Sequence, residues 1–409
     1  MPSDRLHQML QRQIAELDER GTAKGRETQI DRVVPAQGAR GPRFVVSGEG
    51  DMEFLRFNSN SYLGMSLRSE VIAAEEAAAQ QFGAGPGAVR FISGTYTPHV
   101  NLERRLADFH GRESGMIFSS AYAAIIGVLT PLITKQTAVI SDELNHNCII
   151  NAMRLSRPAS KHIYRHVDLE DLGQKLEEAA SAGAARAVVV TDGIFSMRGD
   201  HAPLVEISEL VDRFDERFPE NALLVVDDSH GVGAFGRSGR GTEEHTGSPP
   251  VDVLVATLGK AFGVNGGYVV GSATLTRYLR ETAPMYIYSN PITPAEAAAA
   301  LRSVEILDSA DGLESLAHLR AMTRRFEQGL VDAGFETIPG EHPVVPLMVR
   351  DTDRTRALVS HLHTNGVLAT GLSFPVVPRG DEEIRFQVSA EHTELDIDMV
   401  LEVLRSFEG

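Results

Sequence analysis

The chain is expected to fold as an α/β protein, with a large doubly wound, mainly parallel sheet followed by a smaller C-terminal α/β domain. Three observations predict this. Short apolar, β-branched runs alternate with helical patterns through the middle of the chain. Polar residues gather just past the carboxyl ends of those runs, where open α/β sheets bind ligands. After Pro294 the character changes, and an alanine-rich helix leads into a second set of elements.

Leu6, Met9, Leu10, Ile14 and Leu17 recur at helical spacing before Gly21. Their stripe is expected to pack on the body or on a partner subunit. Residues 22–50, rich in Gly, Arg and Pro, read as a crossing segment, and with a strand at Phe54–Phe57 they complete an N-terminal region of residues 1–57. The large domain is expected over residues 58–294. It opens with a turn, Asn58 to Gly64, and then a loop, Gly83 to Thr95, too glycine-dense for a regular element. Leu102, Leu106 and Phe109 mark a helix ended by Gly111. Phe118-Ser119-Ser120 leads into an alanine-rich helix, Ala121 to Leu129, and such a strand-to-helix turn is a natural phosphate seat.

Strands follow at Ala138–Ile140, Ala187–Thr191, Leu223–Val226 and Asp252–Ala256. Between them, Leu169, Leu172 and Leu176 form one helix, and Leu204, Ile207, Leu210 and Phe214 another. The small domain is expected over residues 295–409. It holds helices at Ala295–Leu307 and Leu316–Ala333, a strand at Val344–Val349, a continuation of the pattern through Leu358, Leu362 and Val367, and an alternating strand at Ile384–Ser389. Phe374 to Pro378 is too proline-rich for a central strand.

Composition limits the function. A hydrophobic content of 42% with 23% charged residues is ordinary for an enzyme. The net charge of −17 argues against nucleic acid or an anionic membrane as partner. Cys148 is the single cysteine, so no intrachain disulfide is possible. No run of about 18 apolar residues predicts a spanning helix, and Ser3-Asp4-Arg5 lacks the apolar core of a signal peptide. The expected location is cytoplasmic. No His/Cys/Asp cluster has metal-ligand spacing.

The strand ends carry His146, Ser196, Asp227 and His230, and the last delivers Thr257-Leu258-Gly259-Lys260. An amine flanked by small residues suits a Schiff base, and an acid suits the ring nitrogen of pyridoxal phosphate. Taken alone, the same residues also fit strand-end turns with a solvated lysine. His99, His166 and Asp192 read as structural or solvated, and Asp228 as a turn cap.

Beyond these local patterns the chain resembles the α-oxoamine synthases, pyridoxal phosphate enzymes of fold type I. The resemblance runs from about Asn58 to Thr393. It rests on NSYLG (60–64), VRFISGT (89–95), SDELNH (141–146), TDGIFSM (191–197), VDDSHGVGAFGRSGRG (226–241), TLGKAFG (257–263) and FPVVPRG with IRFQVSAEHT (374–393). Within that family it is most similar to the glycine C-acetyltransferase branch. The resemblance implies that Lys260 carries the cofactor, Asp227 pairs with its ring nitrogen, His230 meets its hydroxyl and His146 stacks on its face. It implies that Ala121, Tyr122 and Thr257 hold the phosphate, with Ser289 reaching it from the other subunit of a homodimer with shared sites. Ser196 and Asn60 line the substrate side, and Arg385 clamps the amino acid carboxylate. The expected reaction joins a small amino acid, glycine favoured, to an acyl-CoA thioester. The rivals are decarboxylative condensation of alanine, as in 8-amino-7-oxononanoate synthase, and another fold type I activity such as an aminotransferase or aldolase. The family usually has Asn-Asn-Tyr where this chain has Asn60-Ser61-Tyr62, and an asparagine after the phosphate turn that is replaced near Ile125 by an apolar residue, which leaves the acyl donor open.

Overall fold

Val188, Val189 and Val190 are wholly buried in the interior of a seven-stranded sheet. The computed structural model describes residues 2–20, 22–23, 25, 27–374 and 376–408. The expected helix stop at Gly21 and the Pro375 position of the proline-rich segment lie outside the described residues. In chain order the strands of the large sheet are β1 (Ser114–Phe118), β2 (Thr137–Asp142), β3 (Ser160–Tyr164), β4 (Arg186–Asp192), β5 (Asn221–Asp227), β6 (Val253–Thr257) and β7 (Gly267–Gly271). They lie in the order β1-β7-β6-β5-β4-β2-β3. The run from β6 to β3 is parallel throughout, and β7 is antiparallel to both β1 and β6.

Both faces of this sheet are covered, which is why its strands read as near-continuous apolar runs. Val189, Leu224 and Val226 pack into one core with Leu102, Leu172 and Leu204. Val188, Val190 and Val225 pack into another with Ala124, Leu129 and Ile149. Two strands escaped the sequence pattern. β3 is an edge strand whose side chains alternate between partial burial and solvent, and β7 begins and ends on glycine.

A smaller antiparallel sheet holds Glu336–Thr337, Val344–Met348, Glu383–Gln387 and Thr370–Leu372, in that order. The crossing segment is not free-standing. Its strands Ile30–Val34, Arg43–Val46 and Glu53–Arg56 form a ribbon whose last member pairs in parallel with Val367–Leu368. A buried Arg43–Asp396 ion pair and a 3.0 Å bond from Gly41 N to Asp396 Oδ2 fasten it to the C-terminal helix, Glu394–Arg405.

The N-terminal helix spans Pro2–Glu19 and buries none of its residues, so its apolar stripe does not rest on the body of its own chain. The apolar segment Met285-Tyr286-Ile287 is part of the chain's own core. It forms a short helix, Pro284–Ile287, against Phe118 and Leu279, with Tyr286 only 7% exposed. The exposed aromatic is the next residue, Tyr288, at 81%.

Candidate active site

The carboxyl ends of β2, β4, β5 and β6 open onto one cavity of about 200 Å³. Its lining includes Ala121, Tyr122, His146, Ser196, Asp227, His230, Thr257 and Lys260. Lys260 follows β6 in a turn closed by a 2.9 Å bond from Gly263 N to Lys260 O, and Gly263 has φ +68°, which suits glycine. Its amine has no hydrogen-bond partner among the described residues. Burial lowers its pKa, with Asp227 and Asp192 pulling the other way.

Asp227 ends β5. Its Oδ1 accepts from Ser229 N at 3.1 Å and from Ser229 Oγ at 2.5 Å, and its Oδ2 faces Cys148 Sγ at 3.5 Å. Asp228, beside it, turns away and accepts from Thr242 N and Oγ1, both at 2.7 Å, as a turn-capping residue does. Asp192, read from the sequence as structural or solvated, instead lines the cavity beside Asp227, its register partner across β4 and β5. Its Oδ2 accepts from His146 N at 2.9 Å, while Oδ1 is buried without a partner. Burial, and then the nearby Asp227, push its carboxyl well above the ordinary carboxylate range. The signal available in sequence was its place at a strand end, which TDGIFSM shares with the other site motifs.

His146 caps the helix Asn147–Leu155, with Nδ1 accepting from Cys148 N at 3.3 Å. That bond leaves a neutral ring with its proton on Nε2, and burial lowers the pKa of His146. The helix Ala121–Leu132 starts on Ser120, whose Oγ accepts from Ala123 N at 3.0 Å. The N–H groups of Ala121 and Tyr122 have no acceptor among the described residues, so the helix start presents two donors and its positive dipole end. Across from it, Thr257 Oγ1 accepts from Gly259 N at 3.0 Å.

His230 Nδ1 lies 2.7 Å from Tyr62 Oη, a contact the sequence reading did not foresee. Arg385, in the strand Glu383–Gln387, donates to the Ser196 carbonyl at 3.0 Å and to Asn60 Oδ1 at 3.3 Å. The structure thus brings Asn60, Ser196 and Arg385 together beside the cavity. It does not bring Ser289 there: that hydroxyl donates to its neighbour's carbonyl, Asn290 O, at 3.4 Å, outside the lining of its own chain. Among the described residues, no three His, Cys, Asp or Glu side chains are grouped to hold a metal ion, and no helix is long and apolar enough to cross a membrane.

Sheet order, cavity position and a half-buried lysine at a strand end define a fold type I transferase. The model of the family "Aminotransferase class I and II" matches residues 53–404. The 8-amino-7-oxononanoate synthase 1 of Bacillus velezensis is 39% identical over 90% of this chain and 90% of its own. The human mitochondrial 2-amino-3-ketobutyrate coenzyme A ligase is 40% identical over 91% of this chain and 86% of its own. A solved structure of SPT with PLP as internal aldimine superposes with a TM-score of 0.86 at 27% identity, covering 97% of this chain and 96% of that one. The chain belongs to the α-oxoamine synthases, within the class I and II aminotransferase family.

Proposed function

We propose that the chain is a pyridoxal phosphate-dependent acyltransferase that condenses a small amino acid, glycine favoured, with an acyl-CoA thioester and releases CoA. One observation carries the reading: the cavity's donor set. An amine without a hydrogen-bond partner among the described residues stands among two carboxylates and two imidazoles, with a helix start whose first two N–H groups have no acceptor among those residues. Those groups fit, in turn, the carbonyl carbon, the ring nitrogen and the phosphate of this cofactor. Lys260 would hold the carbonyl carbon. Asp227, fixed by Ser229, would keep a proton on the ring nitrogen. Ala121, Tyr122 and Thr257 would hold the phosphate, joined by Ser289 of a second subunit.

Once bound, the cofactor supplies an electron sink for the pair left on the amino acid's Cα. The remaining work belongs to side chains. Arg385 offers parallel donors that match the substrate carboxylate, with Asn60 and Ser196 beside it. Lys260, with its amine in the cavity, would take the Cα proton, and burial favours the neutral amine this requires. His146 would cover the ring face. With its proton on Nε2, it donates to the thioester oxygen as the carbon–carbon bond forms and the carbon–sulfur bond breaks. On this reading the enzyme would act in the cytoplasm, as a homodimer with shared sites.

Near-equal identity to the Bacillus and human relatives supports a second reading, in which alanine is condensed with loss of CO₂. A panel of amino acids against acyl-CoAs, read by thiol release, CO₂ and product mass, separates the two. Glycine with a short acyl-CoA should release thiol without CO₂. Amino transfer to a 2-oxo acid with no thiol release would make the chain an aminotransferase instead.

A further inference from the structure

We infer that Tyr62 is a positioning residue that fixes His230 with its one ring proton on Nε2, so that His230 donates into the cavity, and that Asn60 links this arrangement to Arg385. The inference rests on the pyridoxal phosphate reading for the identity of the group Nε2 meets. It adds a residue and a coupling to that reading.

Tyr62 is completely buried, and its hydroxyl has two neighbours, His230 Nδ1 at 2.7 Å and Asn60 Oδ1 at 3.3 Å. A phenol has one proton to give. Asn60 Oδ1 already accepts from Arg385 Nη2, while Nδ1 has no other partner among the described residues, so the shorter contact takes the proton. Burial keeps Tyr62 protonated by raising its pKa. Burial, reinforced by Lys260, His342 and Arg385, holds His230 well below its ordinary range, so its ring is neutral. A neutral ring that accepts at Nδ1 carries its proton on Nε2.

The opposite tautomer would need Tyr62 to donate to Asn60 over the longer distance, in competition with Arg385. His342 steadies the arrangement from behind. Its Nε2 donates to the His230 carbonyl at 2.9 Å, and its ring meets Tyr62 edge-on at 5.3 Å.

The shared oxygen of Asn60 gives the coupling. A carboxylate that draws Arg385 away leaves Asn60 Oδ1 to compete for the Tyr62 proton. The donor strength of His230 then changes without any contact between carboxylate and imidazole.

The test measures pyridoxal phosphate binding and the absorption band of the bound cofactor, without turnover. Tyr62→Phe should raise the cofactor Kd roughly tenfold and shift the band, and so should His230→Ala. The double variant should bind no worse than His230→Ala alone, because Tyr62 acts through that ring. Acetate, a carboxylate without an amine, should shift the wild-type band and leave the Tyr62→Phe band in place. If Tyr62→Phe does not fold, 3,5-difluorotyrosine at position 62 keeps the volume, and its stronger donor should shift the wild-type band. Multiplicative losses in the double variant, an unmoved band in either Tyr62 variant, or an equal acetate shift without the hydroxyl would overturn the proposal. Failure of wild-type protein to bind the cofactor would overturn the parent reading instead.

Discussion

Arg385 and His166 are both basic side chains among carboxylates or carbonyls, and their surroundings set them to different tasks. Arg385 is half-buried, and the acceptors it meets among the described residues are neutral oxygens: Ser196 O, Asn60 Oδ1 and the side-chain amide of Gln387. A substrate carboxylate would be its first full counter-charge among those contacts. Arg385→Ala is therefore expected to weaken amino acid binding by roughly 2–4 kcal/mol, far more than it weakens cofactor binding. Titrating amino acid into the loaded enzyme measures both, and an unchanged amino acid Kd would move the clamp to another residue. His166, by contrast, is saturated. Its Nδ1 lies 3.2 Å from Asp142 Oδ1 and its Nε2 3.1 Å from Asp200 Oδ2. Burial alone would lower its pKa, but the two carboxylates outweigh burial and raise it to about 9. A folded pKa above the unfolded one stabilises fully below about pH 6.5, and that contribution is lost as pH rises through about 9. His166→Gln should cost about 1–3 kcal/mol at pH 6 and little at pH 10. Denaturant midpoints at the two pH values measure it, and equal losses at both would show that the ion pairs contribute nothing.

At the scale of elements, the helix Ala121–Leu132 is seated by a strand that the sequence hides. Gly267 opens β7, and a Cβ there would stand 2.1 Å from Ala121 N and 2.4 Å from Ala121 Cα. The backbone that presents the phosphate donors lies directly on this glycine. Gly267→Ala should displace the turn and weaken cofactor binding by tenfold or more, against a loss of about 1–3 kcal/mol in fold stability. Cofactor titration beside a melting curve separates the two effects, and wild-type affinity would mean that the turn is held by other contacts. The same strand shows why part of the fold was illegible. β4 and β5 announced themselves because Ala187–Val190 and Leu223–Val226 are apolar on both faces. Gly267-Tyr268-Val269-Val270-Gly271 has too short an apolar stretch between its glycines, and its antiparallel pairing joins β1 to the sheet after an interval of some 150 residues. The site was more legible than the fold, since Asp227, His230 and Lys260 stand at strand ends whose motifs are contiguous. Asp192 and Tyr62 were harder to find. Their roles come from register across two strands and from a contact 168 residues apart.

For the whole molecule, the question is how many chains complete a site. Ser289 lies outside its own chain's cavity, and Tyr288 beside it is 81% exposed. The N-terminal helix presents Leu6, Met9, Leu10, Ile14 and Leu17 to solvent. The core-buried Tyr286 gives no support for a partner interface there, so the case rests on these outward residues and on the expected phosphate contact across subunits. Complementation tests it directly. Lys260→Ala and a Ser289→Ala/Asn290→Ala double variant are each expected to be inactive or severely impaired. When the two are mixed, unfolded and refolded, random pairing makes half of the dimers mixed. In a mixed dimer with shared sites, one site carries both lesions and the other carries neither. Recovered activity should therefore approach roughly a quarter of the wild-type value per chain, one intact site in two across half of the dimers. Verified mixed dimers without activity would place Ser289 and Lys260 in the same chain's site, or in no common site at all.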